Sequence, residues 1–242
     1  MARRAMPLSP AEHFKTQLHR NHLLVRRLDE PEFPTSAFTQ IQNLQRDRLQ
    51  RSYADLRAEP RYEAAIDFFL AELYGGKDIS RRDHDVGRVY PVMVRMLPGA
   101  TLTAIGDAFS LQAVSLELDI TMSLALHDLA VSQPLDLDLY GMLYRQTLDT
   151  PLRERQIELI GTLGRDLATA VRSASLNRLI RVLRQPARLA GFSALQRFLE
   201  DGLTSFRIMG EPGYFLDTIC GRERQFMQAI INKDPDPFRL LA

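Results

Sequence analysis

The composition of this 242-residue chain is typical of a globular protein, with 45% hydrophobic residues, 25% charged residues and a formal net charge of +1. A net charge so close to zero gives no electrostatic reason to expect nucleic-acid binding or membrane-surface binding. The single cysteine, Cys220, excludes an intramolecular disulfide and favours a reducing, cytoplasmic location.

Helix signals follow one another along the whole chain. Ser9 stands before Pro10 and three residues before Glu12, which is the pattern of a capped helix start. Prolines and the Gly75-Gly76 pair separate the later segments. The predicted helices cover about 9–29, 36–59, 60–74, 80–97, 101–130, 135–148, 151–172, 173–185, 187–208 and 212–232. Because the second of these is rich in charge, we expect much of it to face water.

No segment alternates apolar and polar residues for long enough to indicate a β-strand, and no Asn-Gly or Asp-Gly hairpin signal occurs. The sequence therefore predicts an all-α fold. We expect a single domain over 1–242, packed as an irregular bundle of roughly eight to ten helices around a long central helix near 101–130. Residues 1–59 could form a more peripheral helical pair.

Three stretches carry a resemblance: "FFLAELYGGKDISRRD" at 68–83, "MVRMLP" at 93–98 and "QPARLAGFSALQRFLEDG" at 185–202. Together with the helix that follows Pro98, they resemble a bacterial family of helical proteins of unknown role. The resemblance covers about half of the chain. It implies a helical fold and no particular activity.

The long helix 101–130 is mostly apolar but carries several carboxylates, and no lysine or arginine occurs between Arg95 and Arg145. Helical spacing groups its polar residues into two rows. The row that we expect to be solvated is Asp107, Ser110, Glu117, Thr121 and Asp128. The second row lies within the apolar side and consists of Gln112, Ser115, Asp119 and Ser123.

A carboxylate on the apolar side, as predicted for Asp119, must pair, accept hydrogen bonds or become protonated. Consecutive helices usually pack together, so we expect the preceding helix to fold back on 101–130. Its candidate cations are Arg81, Arg82, Arg88 and Arg95, of which Arg81 or Arg82 is the expected partner of Asp119. The arrangement is either an ion pair that fixes the fold or the polar floor of a ligand pocket.

A second group of cations lies in 172–188, which contains no acidic residue. Arg178, Arg181, Arg184 and Arg188 are predicted to share the polar face of an amphipathic helix. Such a face can bind an acidic protein partner, although it can equally be an ordinary solvated surface.

Sequence motifs for catalysis and metal binding are missing: we find no Glu-x-x-His, no P-loop, no dinucleotide fingerprint and no nucleophile elbow. The N-terminal histidines (His13, His19 and His22) lack a carboxylate that would complete a metal site. His84 or His127 could serve as a haem ligand, but we predict no cofactor. Arg222 and Arg224 could lower the pKa of Cys220.

Two functions follow from these features. The first is a non-enzymatic interaction or regulatory module that uses the arginine-rich helix 172–188. The alternative is a binding protein for an apolar or amphipathic small molecule, lipid-like or haem, in a pocket near Ser115 and Asp119. An enzyme without a recognisable motif and a homodimer both stay open, whereas neither nucleic-acid binding nor a transmembrane segment is expected.

Overall fold

The computed structural model describes residues 8–74, 86–88, 90–91, 93–95, 97–130, 134–172, 193–234 and 237, with the side chains of 72–74 and 193–199 left out. The helices are α1 Pro10–Leu28, α2 Thr35–Ser52, α3 Ala54–Ala58, α4 Pro60–Tyr74, α5 Gly99–Asp128, α6 Leu137–Gln146, α7 Thr150–Ala170, α8 Ser193–Met209 and α9 Gly213–Ile231. Residues 86–88, 90–91 and 93–95 are also helical. No strand occurs in these ranges, and the prediction of an all-α fold with a long central helix is confirmed.

Local side-chain caps start three of the helices. Ser9 and Glu12 form the predicted capping box at α1: the amide of Glu12 donates to Ser9 Oγ at 3.3 Å, and the amide of Ser9 donates to Glu12 Oε2 at 2.9 Å. Asp136 accepts a hydrogen bond from the amide of Leu139 at the start of α6. Asp149 caps α7 in the same way. Each cap satisfies a backbone donor that the first helical turn would otherwise leave unpaired.

The long helix α5 lies at the centre of the fold. By length and composition alone it could cross a membrane, but 72% of its most apolar stretch is buried inside the protein. Burial of that extent is typical of a core helix. The helices α1, α2 and α7 each pack against α5.

The segment between α4 and α5 packs against the start of α5 where it is described. Val86 is buried in one apolar cluster with Leu102 and Phe109 of α5 and Phe14 of α1. The hydroxyl of Tyr90 donates a hydrogen bond to the backbone oxygen of Ala11 at 2.9 Å. These contacts fit the expected fold-back of the segment that precedes Pro98.

Helix α1 covers most of the α5 face that we expected to be solvated. Ser110 is buried, His13 Nε2 lies 2.9 Å from Asp107 Oδ1, and Arg20 forms an ion pair with Glu117. The prediction of a solvated row is wrong for Asp107 and Ser110, because we did not foresee that α1 packs there, whereas the Glu117 side chain is still 43% exposed. Thr121 and Asp128, at the far end of the row, are exposed as expected.

The close approach of α1 to α5 depends on a glycine in α5. A Cβ atom at Gly106 would lie 3.2 Å from the Cα atom of Phe14 and closer still to the ring of His13. A larger residue would push the two helices apart, and with them the His13–Asp107 contact.

Candidate ligand-binding cavity

An internal cavity lies between α2, α4, α5, α6, α7 and α9. Its volume, counted as the space open to the centres of water molecules, is about 60 Å³. Since one water centre needs roughly 10–15 Å³, the cavity has room for about four to six water-sized groups. It is lined by Gln45, Arg48, Leu49, Tyr53, Ile66, Phe69, Leu70, Leu111, Ser115, Tyr140, Tyr144, Arg153, Gln156, Ile157, Ile160, Ile219, Glu223 and Phe226. Most of these residues are buried, and they divide into a polar wall and an apolar wall.

The polar wall begins on α2, which turns one of its faces inward. Ile41, Gln45, Arg48 and Ser52 follow the i, i+4, i+7 and i+11 spacing of a single helix face, and all four are buried. Our expectation that much of this charged segment faces water holds for its outer face, whereas the inner face is buried. The exposed charges of α2 lie on the opposite side.

Arg48 forms a two-pronged ion pair with Glu223 of α9. Its Nη1 and Nη2 atoms donate to Oε1 and Oε2 of Glu223 at 3.0 and 2.8 Å, and the hydroxyl of Tyr53 donates to Oε1 at 2.6 Å. The Arg48 side chain is 4% exposed and that of Glu223 16%. Burial alone would raise the pKa of Glu223, but the charge and hydrogen bonds of Arg48 hold that pKa below its usual value.

One hydrogen-bond donor of Arg48, its Nε–H group, takes no part in this ion pair. The Nε atom is buried and has no hydrogen-bond partner among the described residues. The guanidinium group lies over the ring of Phe226, with its carbon 4.3 Å from the ring centre. A cation–π contact of this kind offsets only part of the cost of burying a donor.

Arg153 of α7 is the second buried guanidinium group of the wall. Its Nη2 atom approaches Met122 Sδ at 3.3 Å, and its guanidinium carbon lies 4.3 Å from the ring centre of Tyr144. No carboxylate in the described part of the chain lies within ion-pairing distance of it. Buried arginines are normally paired, so Arg153 is the exceptional residue of this site.

Ser115 of α5 and Gln156 of α7 form the neighbouring part of the wall. The side-chain amide of Gln156 donates to Ser115 Oγ at 2.8 Å. The Ser115 hydroxyl keeps its own proton, for which the described residues supply no acceptor. Both side chains line the cavity, so this proton is available to a bound molecule.

Asp119 lies behind the polar wall, one helical turn beyond Ser115. Its Oδ1 accepts a hydrogen bond from Gln45 at 2.5 Å, and its Oδ2 accepts a longer one of 3.5 Å from Gln42. Burial raises the pKa of Asp119 to about 6, against the opposing effects of the Gln45 amide and the charge of Arg153. The described groups that answer this carboxylate are therefore two amides and a more distant arginine.

The other residues that we predicted for a site are scattered. Arg88 and Arg95 are exposed and do not line the cavity. Gln112 is half-buried on the same side of α5 as Ser115. Arg81 and Arg82 lie outside the described residues, so their pairing with Asp119 stays a prediction. The same holds for the partner-binding face of Arg178, Arg181, Arg184 and Arg188.

Two further expectations concern the histidines and Cys220. Within the described ranges, no three His, Cys, Asp or Glu side chains come close enough together to hold a metal ion. His127 is exposed, and His84 lies outside the described residues.

Burial raises the pKa of the Cys220 thiol, and this outweighs the charges of Arg224 and Arg165. Our expectation of a lowered pKa is wrong because the thiol is half-buried.

Sequence reasoning did not single out three central residues of the wall, namely Arg48, Arg153 and Glu223. The pattern that identified Asp119 was present for each of them. Arg153 precedes Ile157 and Ile160 by four and seven positions, on the inward face of α7. Glu223 likewise stands between Ile219 and Met227 on α9. A charged residue on an apolar helical stripe would have been the signal.

The family comparison assigns the chain to an uncharacterised family. The model of a domain of unknown function, DUF8198, matches residues 25–237 and so spans every helix that lines the cavity. The chain belongs to the DUF8198 family. A search of the curated proteins and a search of the solved structures each found no match. Membership of DUF8198 bears out the resemblance to an uncharacterised family and assigns no activity.

Proposed function

We propose that the protein binds a small amphipathic molecule in the cavity beside Ser115. The observation that carries the proposal is the buried, mixed-polarity wall, in which Arg48 Nε has no acceptor among the described residues, Arg153 has only the thioether sulfur of Met122, and the Ser115 hydroxyl proton is unused. A buried hydrogen-bond donor that has no acceptor lowers the stability of the folded protein, typically by about 1–3 kcal/mol for each neutral group. A bound molecule that accepts these hydrogen bonds would offset that cost.

The volume of the cavity restricts the ligand to a small molecule. Pockets that hold drug-sized ligands have volumes of roughly 300–1,000 Å³. At about 60 Å³ the cavity falls well short of this range, so a haem or a long-chain lipid would require the surrounding helices to separate. A ligand of about six non-hydrogen atoms fits the space without any rearrangement.

A thermal-shift screen of small amphipathic compounds tests this proposal. Ligands that bind only the folded protein raise its melting temperature in proportion to ln(1 + [L]/Kd). We expect compounds of four to seven non-hydrogen atoms to stabilise the wild-type protein. Ile160→Phe, which fills the apolar wall, should abolish the shift. The matched control Ile208→Phe, at a residue 54% exposed on α8, should leave the shift unchanged.

Two results would overturn the proposal. One is that no compound of this size range shifts the melting temperature of the wild-type protein at millimolar concentration. The other is that Ile160→Phe responds to the hits as the wild type does. Far-UV circular dichroism of the variant checks its fold, and Ser115→Ala serves as a second, milder change on the polar wall.

A further inference from the structure

We infer that the ligand is a small organic monoanion, namely a short-chain carboxylate whose carboxylate group binds the guanidinium of Arg153. This inference rests on the proposed function and adds the chemical class of the ligand. Three charged side chains line the cavity: Arg48, Arg153 and Glu223. Glu223 is engaged by both prongs of Arg48, so Arg153 has no described carboxylate within ion-pairing distance, and Asp119 behind the wall attracts it from farther away.

The present contacts of Arg153 do not compensate for its burial. A thioether sulfur is a weak acceptor, and a ring face supplies only part of what a carboxylate would. A charge-assisted hydrogen bond to a carboxylate is about twice as strong as a bond between neutral groups. An incoming carboxylate would therefore gain more at Arg153 than any neutral ligand could.

Most of the unused hydrogen-bonding groups of the wall are donors, namely the guanidinium of Arg153, the Nε–H of Arg48 and the hydroxyl proton of Ser115, while the side-chain oxygen of Gln156 is an acceptor. A ligand that presents two acceptor oxygens suits these donors, whereas an ammonium group would be repelled by the guanidinium of Arg153. The wall thus selects for an anion and against a cation.

The apolar wall decides which anion fits. It is formed by Leu49, Ile66, Leu70, Leu111 and Ile160, which offer no hydrogen bond to a ligand. A phosphate ion would present additional charged oxygens to these side chains, at a high desolvation cost. A carboxylate with a short branched tail places its methyl groups there instead. Isobutyrate, with six non-hydrogen atoms, matches the space available.

Isothermal titration calorimetry with three probes tests this inference: isobutyrate, its neutral isostere isobutyramide, and inorganic phosphate. We expect isobutyrate to bind the wild-type protein at least tenfold more tightly than either of the other two. Arg153→Met should weaken isobutyrate binding at least tenfold, while Arg153→Lys should restore part of it because it keeps the charge. The control Arg155→Met, two residues along α7 with a side chain 51% exposed, should bind as the wild type does.

The outcomes separate this inference from the proposed function. If isobutyramide binds as tightly as isobutyrate and Arg153→Met has no effect, the carboxylate is refuted, and a binding cavity stands. Tighter binding of phosphate than of isobutyrate would likewise overturn the ligand class. If none of the probes binds but the compound screen gives hits that Ile160→Phe abolishes, only the ligand class fails. A screen without hits refutes both.

Discussion

The ion pair between Arg48 and Glu223 should respond strongly to the loss of one partner. In Glu223→Gln the carboxylate becomes a neutral amide, and the guanidinium of Arg48 loses its counter-ion while its side chain stays 4% exposed. Removing one partner of a buried pair typically costs about 3–5 kcal/mol, because the remaining charge is left uncompensated. The ring of Phe226, over which the guanidinium lies, would offset only part of this cost.

We therefore expect Glu223→Gln to lower the free energy of unfolding by about 3–5 kcal/mol. For a domain of this size, each kcal/mol corresponds to roughly 2–4 °C in the melting temperature. Urea denaturation followed by circular dichroism, with a thermal scan beside it, measures both quantities. The matched control is Glu154→Gln, which breaks the more exposed contact with Arg224 and should change stability by less than about 1 kcal/mol.

A double variant tests the physical cause of this loss. Arg48→Met combined with Glu223→Gln removes the stranded charge and should recover most of the stability that Glu223→Gln loses. If Glu223→Gln unfolds within about 1 kcal/mol of the wild type, the ion pair does not contribute as we argue. If the double variant is less stable than both single variants, the loss does not come from an uncompensated charge.

Three further predictions concern single residues of the interior. The pKa of Asp119 is about 6 in the folded protein against 3.8 as the ordinary value, so the folded state binds the proton more tightly and loses stability as the pH rises. The unfolding free energy of the wild type minus that of Asp119→Asn should fall by about 3 kcal/mol between pH 3 and pH 7 in urea titrations, and a constant difference would contradict the raised pKa. At pH 5, where Asp119 with its pKa of about 6 is mostly protonated, Arg153→Met should be at least as stable as the ligand-free wild type, because it removes a buried charge with no described carboxylate within ion-pairing distance; a loss of more than about 1 kcal/mol in urea would count against that description of Arg153. Gly164→Ala should cost about 1–3 kcal/mol, since its Cβ would overlap Leu216, whereas Gly221→Ala, with open space, should gain up to about 1 kcal/mol; equal effects on the melting temperature would refute this packing.

The helices could be predicted from local sequence signals. The Ser9 cap, the prolines and the glycine pair mark the ends of elements because they act through the nearest backbone groups. The observed α1, Pro10–Leu28, and α5, Gly99–Asp128, lie within two residues of the predicted ends. Among the described residues, the split of the second predicted helix into α2 and the short α3 was missed.

The partners of the buried charged residues could not be predicted from local sequence signals. Arg48 and Glu223 stand 175 positions apart, and nothing local to either residue identifies the other. Long cationic side chains usually reach water, which made a solvated α2 the reasonable expectation. Because consecutive elements usually pack together, we expected the segment before Pro98 to lie on α5. The same rule gave no indication that His13 and Arg20 of α1 would contact Asp107 and Glu117.

The acidic residues of α5 therefore have different partners along the helix. Those on its outer face meet His13 and Arg20 of α1, which fix the packing of two helices. Asp119, on the inner face, is held by amides of α2 and lies behind the wall that contains Arg153. Among the described residues, no carboxylate therefore lies within ion-pairing distance of Arg153, and the proposed ligand would supply one.

A crystal structure of the protein grown with 2-bromopropionate, an isostere of isobutyrate, tests this most directly. The anomalous signal of bromine locates the ligand independently of any assumption about the site. We predict one strong peak between Leu70 and Ile160, with the carboxylate within hydrogen-bonding distance of Arg153 and Ser115. A cavity that holds only water at saturating ligand, with bromine peaks elsewhere, would contradict the account.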